Sequence, residues 1–371
     1  MIRSVRIAVA GLVVGLAALG SFAGEGRAPI WQVGTVISNP GKYIVTRNIN
    51  GTGSGLTVIS ILASDVDIDL NGFTLETDGA PVIQATNVSN IAIRNGTLRR
   101  GTRGIDAMSP ILAAFNKVVI EHVNVIGSQF EGIYIVALSD FAVRWCNVLQ
   151  TGREGIWVDG VGPAPTYVHG TIEHNRLQGT GGLTVRWGSS VGILNNRLEV
   201  TNVVAPPPSQ GAIVYDYSHA GLIASNTVEI VNSGSGIFLG DAKGNEIRNN
   251  VVREAQHHGI DLAGMSDDNL VLENVSTQNA RDGLRLEGSR NHTDRNVLNR
   301  NCQFALGNCW GLHLSNAWGG ADNTFGRNTA RGNLGNPQVC AALPPYGPTT
   351  DFCCEQTGAG SFNDNYMPNF F

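Results

Sequence analysis

The sequence predicts an all-β protein, a solenoid in which short strands from successive coils stack in parallel. Three observations support this prediction: a repeat that begins with glycine, an asparagine that recurs in phase with it, and an abundance of turn-forming residues. The chain of 371 residues contains 47 glycines, and 42% of its residues are hydrophobic. Glycine and asparagine tolerate the left-handed backbone conformations of tight turns, so many short strands are expected.

The composition excludes several other classes of protein. The formal net charge is -5 and no basic run occurs, which argues against a nucleic-acid partner. The glycines follow no three-residue period, which excludes collagen, and the apolar fraction is too high for a disordered chain.

The first residues have the pattern of a secretory signal peptide, which we assign to residues 1–23. Arg3 and Arg6 precede a small-apolar stretch from Ile7 to Leu19, and Ala23 ends a segment typical of a cleavage site. This stretch is short for a membrane span, although an uncleaved anchor is the alternative. We therefore expect a secreted or periplasmic protein with no membrane span in the mature chain.

A glycine followed by apolar, variable and apolar residues recurs along the chain. The members are Gly132, Gly155, Gly182, Gly236, Gly259, Gly283 and Gly311, with Gly104 and Gly211 as looser ones. An asparagine recurs in phase, at Asn124, Asn147, Asn175, Asn196, Asn226, Asn250, Asn274, Asn296 and Asn328. Each unit thus has three short strands that cannot bury their own apolar face, so the units must stack. A sandwich or barrel with irregular hairpins is the alternative.

The asparagines predict ladders of side-chain amides at equivalent turns of successive coils. We expect Asn226, Asn250 and Asn274 to point inward and to bond one another. Asn279, by contrast, is expected at a surface turn.

The opening segments resemble the first coils of the right-handed parallel β-helix proteins, the pectate-lyase-like superfold. The matching stretches begin at Pro40 and at Val66. This resemblance implies a single-stranded β-helix of about ten to eleven three-strand coils over residues 24–335, including an N-terminal cap. Residues 336–371 would form a Cys- and Pro-rich cap or tail. The superfold includes lyases, hydrolases, epimerases and non-catalytic fibres, so it implies little about activity.

The six cysteines predict a disulfide-stapled C-terminal end, because an exported chain meets an oxidising environment. We expect Cys302 to pair with Cys309, and Cys340 to pair with Cys353 or Cys354. Cys146 is expected to be a small buried apolar residue.

Alternation along the strand after each repeat glycine predicts an outward face that suits a sugar chain. Aromatic rings can cover the C–H faces of sugars, while charged groups bond their hydroxyls. The expected substrate-binding residues are Tyr134, Trp157, Asp159, Arg186 and Phe238, with Trp187 in an adjoining turn. The segment 211–217 has an ambiguous register, with Tyr215 or Asp216 outward, together with Tyr217.

Asp261, Arg285 and His313 occupy the same outward position in three consecutive units, and Glu287 lies two residues beyond Arg285. We interpret these four residues as a catalytic group. Asp261 and Glu287 would be about 8 Å apart, as in an inverting glycoside hydrolase. In the alternative chemistry Arg285 neutralises a uronate, and His313 or a tyrosine removes the α-proton. An ordinary surface cluster of charges is the third interpretation.

The motifs of known β-helix enzymes are incomplete. The stretch from Trp157 to Gly160 resembles part of a pectate lyase motif but has glycine where that family has histidine. The sequence lacks the epimerase signature, and the fragments at His258 and Asp267 do not form a polygalacturonase motif. No cofactor is expected, since there is no Met/His cluster for copper and no carboxylate cluster for Ca²⁺.

The expected function is therefore an exported monomer that binds and cleaves or modifies an extracellular polysaccharide. The alternative is a non-catalytic protein that binds cell-surface glycans or serves as an adhesive or structural β-helix.

Overall fold

The computed structural model describes residues 26–108, 117–136, 140–160, 167–201, 211–230, 234–303, 310–314 and 322–333, with the short pairs 356–357 and 361–362. Every regular element in these ranges is a β-strand. The predicted signal peptide lies outside the described residues, and so does nearly all of the segment 336–371.

The smaller of the two main sheets has twelve strands, one from each coil. They are β2 (Thr35–Ile37), β5 (Ile59–Ile61), β8 (Ile83–Thr86), β10 (Ile105–Met108), β12 (Ile133–Val136), β15 (Ile156–Asp159), β18 (Leu183–Arg186), β21 (Gly211–Asp216), β24 (Ser235–Gly240), β27 (Ile260–Ala263), β30 (Leu284–Leu286) and β33 (Leu312–Leu314).

The larger sheet has 22 strands, and it contains the other two strands of each coil. They are β1 (Ala28–Ile30), β3 (Gly41–Val45), β4 (Ile49–Asn50), β6 (Val66–Asp69), β7 (Thr74–Thr77), β9 (Ile91–Arg100), β11 (Lys117–Ile126), β13 (Asp140–Arg144), β14 (Asn147–Leu149), β16 (Val168–Glu173), β17 (Arg176–Thr180), β19 (Gly188–Leu194), β20 (Arg197–Val200), β22 (Leu222–Ala224), β23 (Thr227–Ile230), β25 (Glu246–Arg248), β26 (Val251–Arg253), β28 (Leu270–Leu272), β29 (Val275–Thr277), β31 (His292–Asp294), β32 (Val297–Asn299) and β34 (Thr324–Phe325). A separate hairpin pairs β35 (Gln356–Thr357) with β36 (Ser361–Phe362).

The strand pairing confirms the predicted solenoid. Each strand of the smaller sheet pairs in parallel with its equivalents in the neighbouring coils, as β15 does with β12 and β18. The larger sheet repeats the same pattern along two further lines of strands, for example β13 with β16 and β14 with β17. A sandwich or barrel built from antiparallel hairpins would not give these parallel pairs, so that alternative is wrong.

Aliphatic side chains from all three strands of each coil fill the interior. Ile133, Ile156, Leu183 and Ile237, which follow the repeat glycines or occupy the equivalent position, are completely buried. Burying one such side chain contributes about 1.5–3 kcal/mol, so the stack of aliphatic layers is the main source of stability.

The repeat glycine allows close approach between neighbouring coils. A Cβ placed on Gly132 would lie 2.7 Å from the carbonyl oxygen of Gly155, and one on Gly259 would lie 2.7 Å from that of Gly283. These separations are too short for a carbon and a carbonyl oxygen. The glycine at this position therefore reflects backbone packing along the solenoid axis, and its recurrence is a direct sequence signal of stacked coils.

The predicted asparagine ladder is confirmed. Asn226, Asn250 and Asn274 are buried, and each donates its amide to the side-chain oxygen of the next asparagine along the ladder at 2.9–3.0 Å. The same oxygen accepts the backbone N–H of the preceding asparagine. The ladder runs in the described residues from Asn175 to Asn328.

Asn279 does not lie at a surface turn, so that expectation is wrong. It is fully buried and bonds Asn301 at 2.8 Å and the Ser276 hydroxyl at 2.9 Å. It belongs to a further ladder with Asn301 and Asn333, and another ladder is formed by Asn245, Asn269, Asn291 and Asn323. Because each coil has several turns, asparagines outside the main repeat can stack as well.

Asn124 and Asn147 lie one residue beyond the main ladder, on the surface, and their amides bond each other at 2.8 Å. Cys146 takes the inward position in that coil. It is buried as predicted, its N–H donates to the Asn175 side chain at 2.9 Å, and burial raises the pKa of its thiol to about 12.

The ends of the solenoid are described only in part. β1 pairs in parallel with β3, so residues 28–30 extend the sheet as an ordinary strand where a cap was expected. Cys302 is buried and disulfide-bonded, but Cys309, Cys340 and Cys353 lie outside the described residues, and the predicted pairing stays a prediction. In the described part of the chain no helix has the length and apolar character of a membrane span.

Candidate functional site

The outward positions of the smaller sheet form one continuous line, as the glycine repeat predicts. Cα register places Asp106 beside Tyr134, and Tyr134 beside Trp157. Farther along the solenoid, Phe238, Asp261, Arg285 and His313 follow one another in the same line. Neighbouring residues in such a line are separated by roughly 4.8 Å. We call this side of the sheet the outward face.

The register also resolves the ambiguous segment 211–217. Val214 lies in the line, paired with Thr184 and Phe238, and Asp216 pairs with Arg186. Tyr215 points into the core and is fully buried. Asp216 is therefore the outward acidic residue of this coil.

Asp261, Arg285 and Glu287 form an ion-pair network that we call the arginine clamp. Arg285 donates from Nε and Nη2 to the two Asp261 oxygens at 2.7 and 3.0 Å, and its Nη1 lies 2.8 Å from Glu287 Oε1. The other Glu287 oxygen accepts the Gly264 N–H at 2.9 Å. Burial lowers the pKa of Arg285, but the bond to Asp261 and the two carboxylate charges outweigh it and raise that pKa.

The predicted catalytic residues are thus brought together, but His313 bonds a residue that the sequence analysis did not select. Asp282 is almost completely buried, and its Oδ2 lies 2.8 Å from His313 Nδ1 and 3.0 Å from His258 Nδ1. Its Oδ1 accepts the Trp310 N–H at 2.6 Å. Burial raises the pKa of Asp282, but the two histidines outweigh it and the pKa is lowered.

A sequence signal for Asp282 does exist. It directly precedes the repeat glycine Gly283, and the equivalent residues of other coils include Glu131, Glu154 and His258, all of which are buried. A polar residue before a repeat glycine therefore lies beside the outward line. His313 is 28% exposed through its side chain, so the imidazole that Asp282 orients can reach solvent.

Tyr134 and Trp157 are neighbours on the outward face, with ring centroids 6.5 Å apart. The guanidinium of Arg103 covers the Tyr134 ring at 3.8 Å from the centroid, and Glu131 holds Arg103 at 2.7 Å. One face of Tyr134 is therefore occupied by Arg103. Trp157 is the more available ring for a ligand.

Asp159, Arg186 and Asp216 follow one another on three adjacent strands. Arg186 lies 3.6 Å from an Asp159 oxygen and 3.5 Å from an Asp216 oxygen, which is looser than the arginine clamp. Burial raises the pKa of the Asp216 carboxyl to about 6, with Arg186 opposing it and Asp241 and Asp159 adding to it. Trp187 lies at the next turn and stacks on Tyr217, with centroids 4.6 Å apart.

Phe238 does not offer a face to a sugar, so its assignment to the substrate-binding set is corrected. It lies in the outward line, but only 6% of it is exposed. A Cβ on Gly240 would lie 2.9 Å from its ring, which shows that the ring lies over the bare backbone of Gly240. The neighbouring outward residues Thr184 and Val214 are also buried.

In the ranges that the structure describes, no group of three or more His, Cys, Asp or Glu side chains is arranged to hold a metal ion. The contacts of Asp282 show a carboxylate that bonds the His313 imidazole at 2.8 Å and lies 3.0 Å from that of His258.

Two family models match the chain, each over slightly less than half of it. The model described as "Right handed beta helix region" matches residues 35–198, and the model of the periplasmic copper-binding protein NosD matches residues 167–337. A comparison with curated proteins gives no match.

Solved β-helix structures superpose on most of the chain. The periplasmic alginate epimerase AlgG shares 15% identity over 82% of this chain and 77% of its own, with a TM-score of 0.60. The A-module of the Azotobacter vinelandii mannuronan C-5 epimerase AlgE4 shares 14% identity over 79% of this chain and 87% of its own, with a TM-score of 0.53. The catalytic domain of a GH87 alpha-1,3-glucanase, in complex with tetrasaccharides, shares 9% identity over 80% of this chain and 62% of its own, with a TM-score of 0.52. Identities this low establish a common fold and nothing more.

Proposed function

This chain is a right-handed parallel β-helix protein, and we propose that it binds and cleaves or modifies an extracellular polysaccharide along its outward face. The similar structures include enzymes whose names specify alginate or an α-glucan. An elongated face with aromatic and charged side chains in register suits a polymer of sugar rings better than a small compact ligand.

The observation that carries the catalytic part of this proposal is the Asp282–His313 pair. A buried carboxylate on one ring nitrogen fixes the tautomer of an imidazole and leaves the other nitrogen to exchange a proton with a ligand. His313 is the partly exposed member of the pair, so it is the proposed general base or acid. Arg285 lies beside it in the same outward line.

The carboxylates of the arginine clamp are a less favourable acid–base pair. Both Asp261 oxygens bond Arg285, and Glu287 divides its oxygens between Arg285 and Gly264. For an inverting hydrolysis one of them would have to release Arg285 to meet water or the glycosidic oxygen. We keep Asp261, Arg285 and Glu287 in the proposed site as the groups that position the substrate beside His313.

The test is a panel of uronate and neutral polysaccharides, monitored for new reducing ends and for new unsaturated ends. On a substrate that turns over, we expect His313→Ala to reduce kcat by at least about 100-fold, the contribution typical of a general base. His292→Ala is the matched control, because His292 lies on β31 of the larger sheet and bonds Thr324. Equal loss in both variants, or none in His313→Ala, would contradict the catalytic assignment.

Two further variants separate positioning from chemistry. Glu287→Gln and Asp261→Asn should raise KM more than they lower kcat if the clamp positions the substrate. Loss of kcat with binding retained in either variant would assign the proton transfer to that carboxylate instead.

The second candidate function is a glycan-binding β-helix without catalysis. The arginine clamp favours this second function, because its charged groups pair with one another and none of them is left free to transfer a proton. Binding of a polysaccharide without any change in reducing or unsaturated ends, in the panel above, would establish this function.

We also propose that the protein is exported to the periplasm or secreted. The first 23 residues support this proposal, and so does the periplasmic location of the alginate epimerase AlgG and of the NosD family.

A further inference from the structure

The outward face carries more negative than positive charge. In the described residues, four of its arginines, Arg103, Arg153, Arg186 and Arg285, each lie within 4.0 Å of a carboxylate on the same face. A fifth, the exposed Arg281, lies at the turn before Gly283. The carboxylates around them are Asp106, Glu131, Asp159, Asp216, Asp261, Asp282 and Glu287. The four paired guanidinium groups are therefore already neutralised.

A cluster of unpartnered polar atoms lies at the centre of this face. Trp157 Nε1, Asp159 Oδ1 and Arg186 Nε are buried atoms that make no well-formed hydrogen bond in the described part of the chain, although Arg186 Nε lies 3.5 Å from Asp216 Oδ2. Trp157 and Asp159 lie on β15, and Arg186 lies on the adjacent strand β18. Asp106 Oδ1, on a side chain that is almost completely buried, is unpartnered on the same face. Such buried polar atoms are costly unless a ligand satisfies them.

The unpartnered atoms include both donors and an acceptor. A hydroxyl group can accept from the Trp157 or Arg186 N–H and donate to Asp159, whereas a carboxylate can only accept. The adjacent carboxyls of Asp216 and Asp241 add negative potential. Burial is the main cause that raises the pKa of Asp216 to about 6, and the charges of Asp241 and Asp159 add to it. A ligand carboxylate placed here could accept from the two N–H groups, but it would leave Asp159 Oδ1 without a donor, and the charges of Asp159, Asp216 and Asp241 would repel it.

We propose that Trp157, Asp159 and Arg186, bordered by Asp216, form a subsite for an uncharged sugar unit that binds through its hydroxyls. This inference rests on the proposed function and specifies its substrate class: a neutral glycan, although the similar epimerases are named for polyuronates. Trp157 supplies the apolar ring edge, Asp159 and Arg186 bond the hydroxyls, and Asp216 excludes uronate units.

The experiment measures binding of hexasaccharides to the full chain by calorimetry. The neutral probes are cellohexaose, mannohexaose and laminarihexaose, and the charged probes are the hexamers of mannuronate and galacturonate. We expect the best neutral probe to bind at least about tenfold more tightly than either uronate. Trp157→Ala should weaken that binding at least about tenfold, while Trp145→Ala, an exposed tryptophan at a turn of the larger sheet, should leave it unchanged.

The variant Asp216→Asn tests the contribution of the Asp216 charge to the choice between neutral and uronate ligands. It should strengthen binding of the uronate probes and change binding of the neutral probe by less than about twofold, because it removes a negative charge and keeps the shape of the side chain. Uronate probes that bind as tightly as neutral ones, or equal effects of the two tryptophan variants, would overturn this inference and leave the proposed function standing. If no hexamer of either class binds, both are wrong.

Discussion

At the scale of single residues, a ladder asparagine satisfies several buried groups at once. Asn250 donates to the Ile223 carbonyl and to Asn274, and its oxygen accepts both the N–H and the side-chain amide of Asn226. No other side chain of this size combines an acceptor with two donors. This requirement explains why asparagine, and not merely a polar residue, recurs in the sequence.

Replacing Asn250 with leucine should lower the free energy of unfolding markedly. The change leaves the Ile223 carbonyl, the Asn226 N–H and the adjacent amides without partners, at about 1–3 kcal/mol for each buried group. Chemical denaturation measures the loss. Asn279→Leu should be comparably destabilising because Asn279 is also a ladder residue, and Asn147→Leu, at the exposed position beside the ladder, should have a small effect. Equal midpoints for the Asn250 and Asn147 variants would contradict the assignment.

Asp216 makes stability depend on pH. Because the folded-state pKa of about 6 is above the ordinary value of 3.8, the protonated carboxyl is the form that the fold favours. The stabilisation is complete below pH 3.8 and is lost as the pH rises through 6. Asp216→Asn should therefore raise the Tm at pH 8 by about 2 °C, on the basis of about 1 kcal/mol after solvent screening.

The difference in Tm between Asp216→Asn and the unchanged protein should disappear near pH 3.5, where the folded protein carries no charge on either Asp216 or the asparagine that replaces it. Asp268→Asn is the control with the opposite sign, since the hydrogen bond from Arg290 lowers the pKa of the Asp268 carboxyl. That variant should not gain stability at pH 8. A gain of the same size in both variants would show that the effect arises from net charge and not from the surroundings of Asp216.

At the scale of the strand, the repeat glycine sets how closely consecutive coils approach. Gly132→Ala should destabilise the protein by about 1–3 kcal/mol, because its Cβ would lie 2.7 Å from the Gly155 carbonyl oxygen. Gly192→Ala is the control, since a Cβ there makes ordinary contacts at 3.4–3.6 Å and the glycine has no positive φ. Thermal unfolding that ranks the two variants in the reverse order would refute this explanation of the repeat.

Strand register could be predicted from the sequence because it depends on short, local patterns. The spacing of the glycines placed Tyr134 beside Trp157 and Asp261 beside Arg285, as the pairing confirms. Alternation also identified the outward side of each strand. Burial of Phe238 was missed because its ring lies over the bare backbone of Gly240, two residues farther along the same strand β24. Alternation predicts the side of the sheet on which a side chain lies but not the direction in which its ring turns.

At the scale of the whole molecule, stacking converts positions far apart in the sequence into neighbours. The partner of His313 is Asp282, 31 residues earlier in the chain, and Asp282 also contacts His258 from the preceding coil. The sequence places all three near repeat glycines. Rotamers and burial decide which of several nearby polar groups a side chain bonds. The sequence therefore predicted that Asp261, Arg285 and Glu287 lie together, but not the bonds within the arginine clamp or the Asp282 partner of His313.

The direction of the asparagine ladder gives the solenoid a chemical polarity. The oxygen of Asn175 completes the turn at Cys146, and the oxygen of Asn274 completes the turn at Asn250, so each turn is finished by the coil that follows it. A chain that is translocated amino end first would add coils from the amino to the carboxyl end. Each new coil would pair with the strands of the coil before it, and its asparagine would complete the hydrogen bonds of that coil's turn. Assembly would then resemble the one-directional growth of a polymer, in which only the most recent unit is left with an open end.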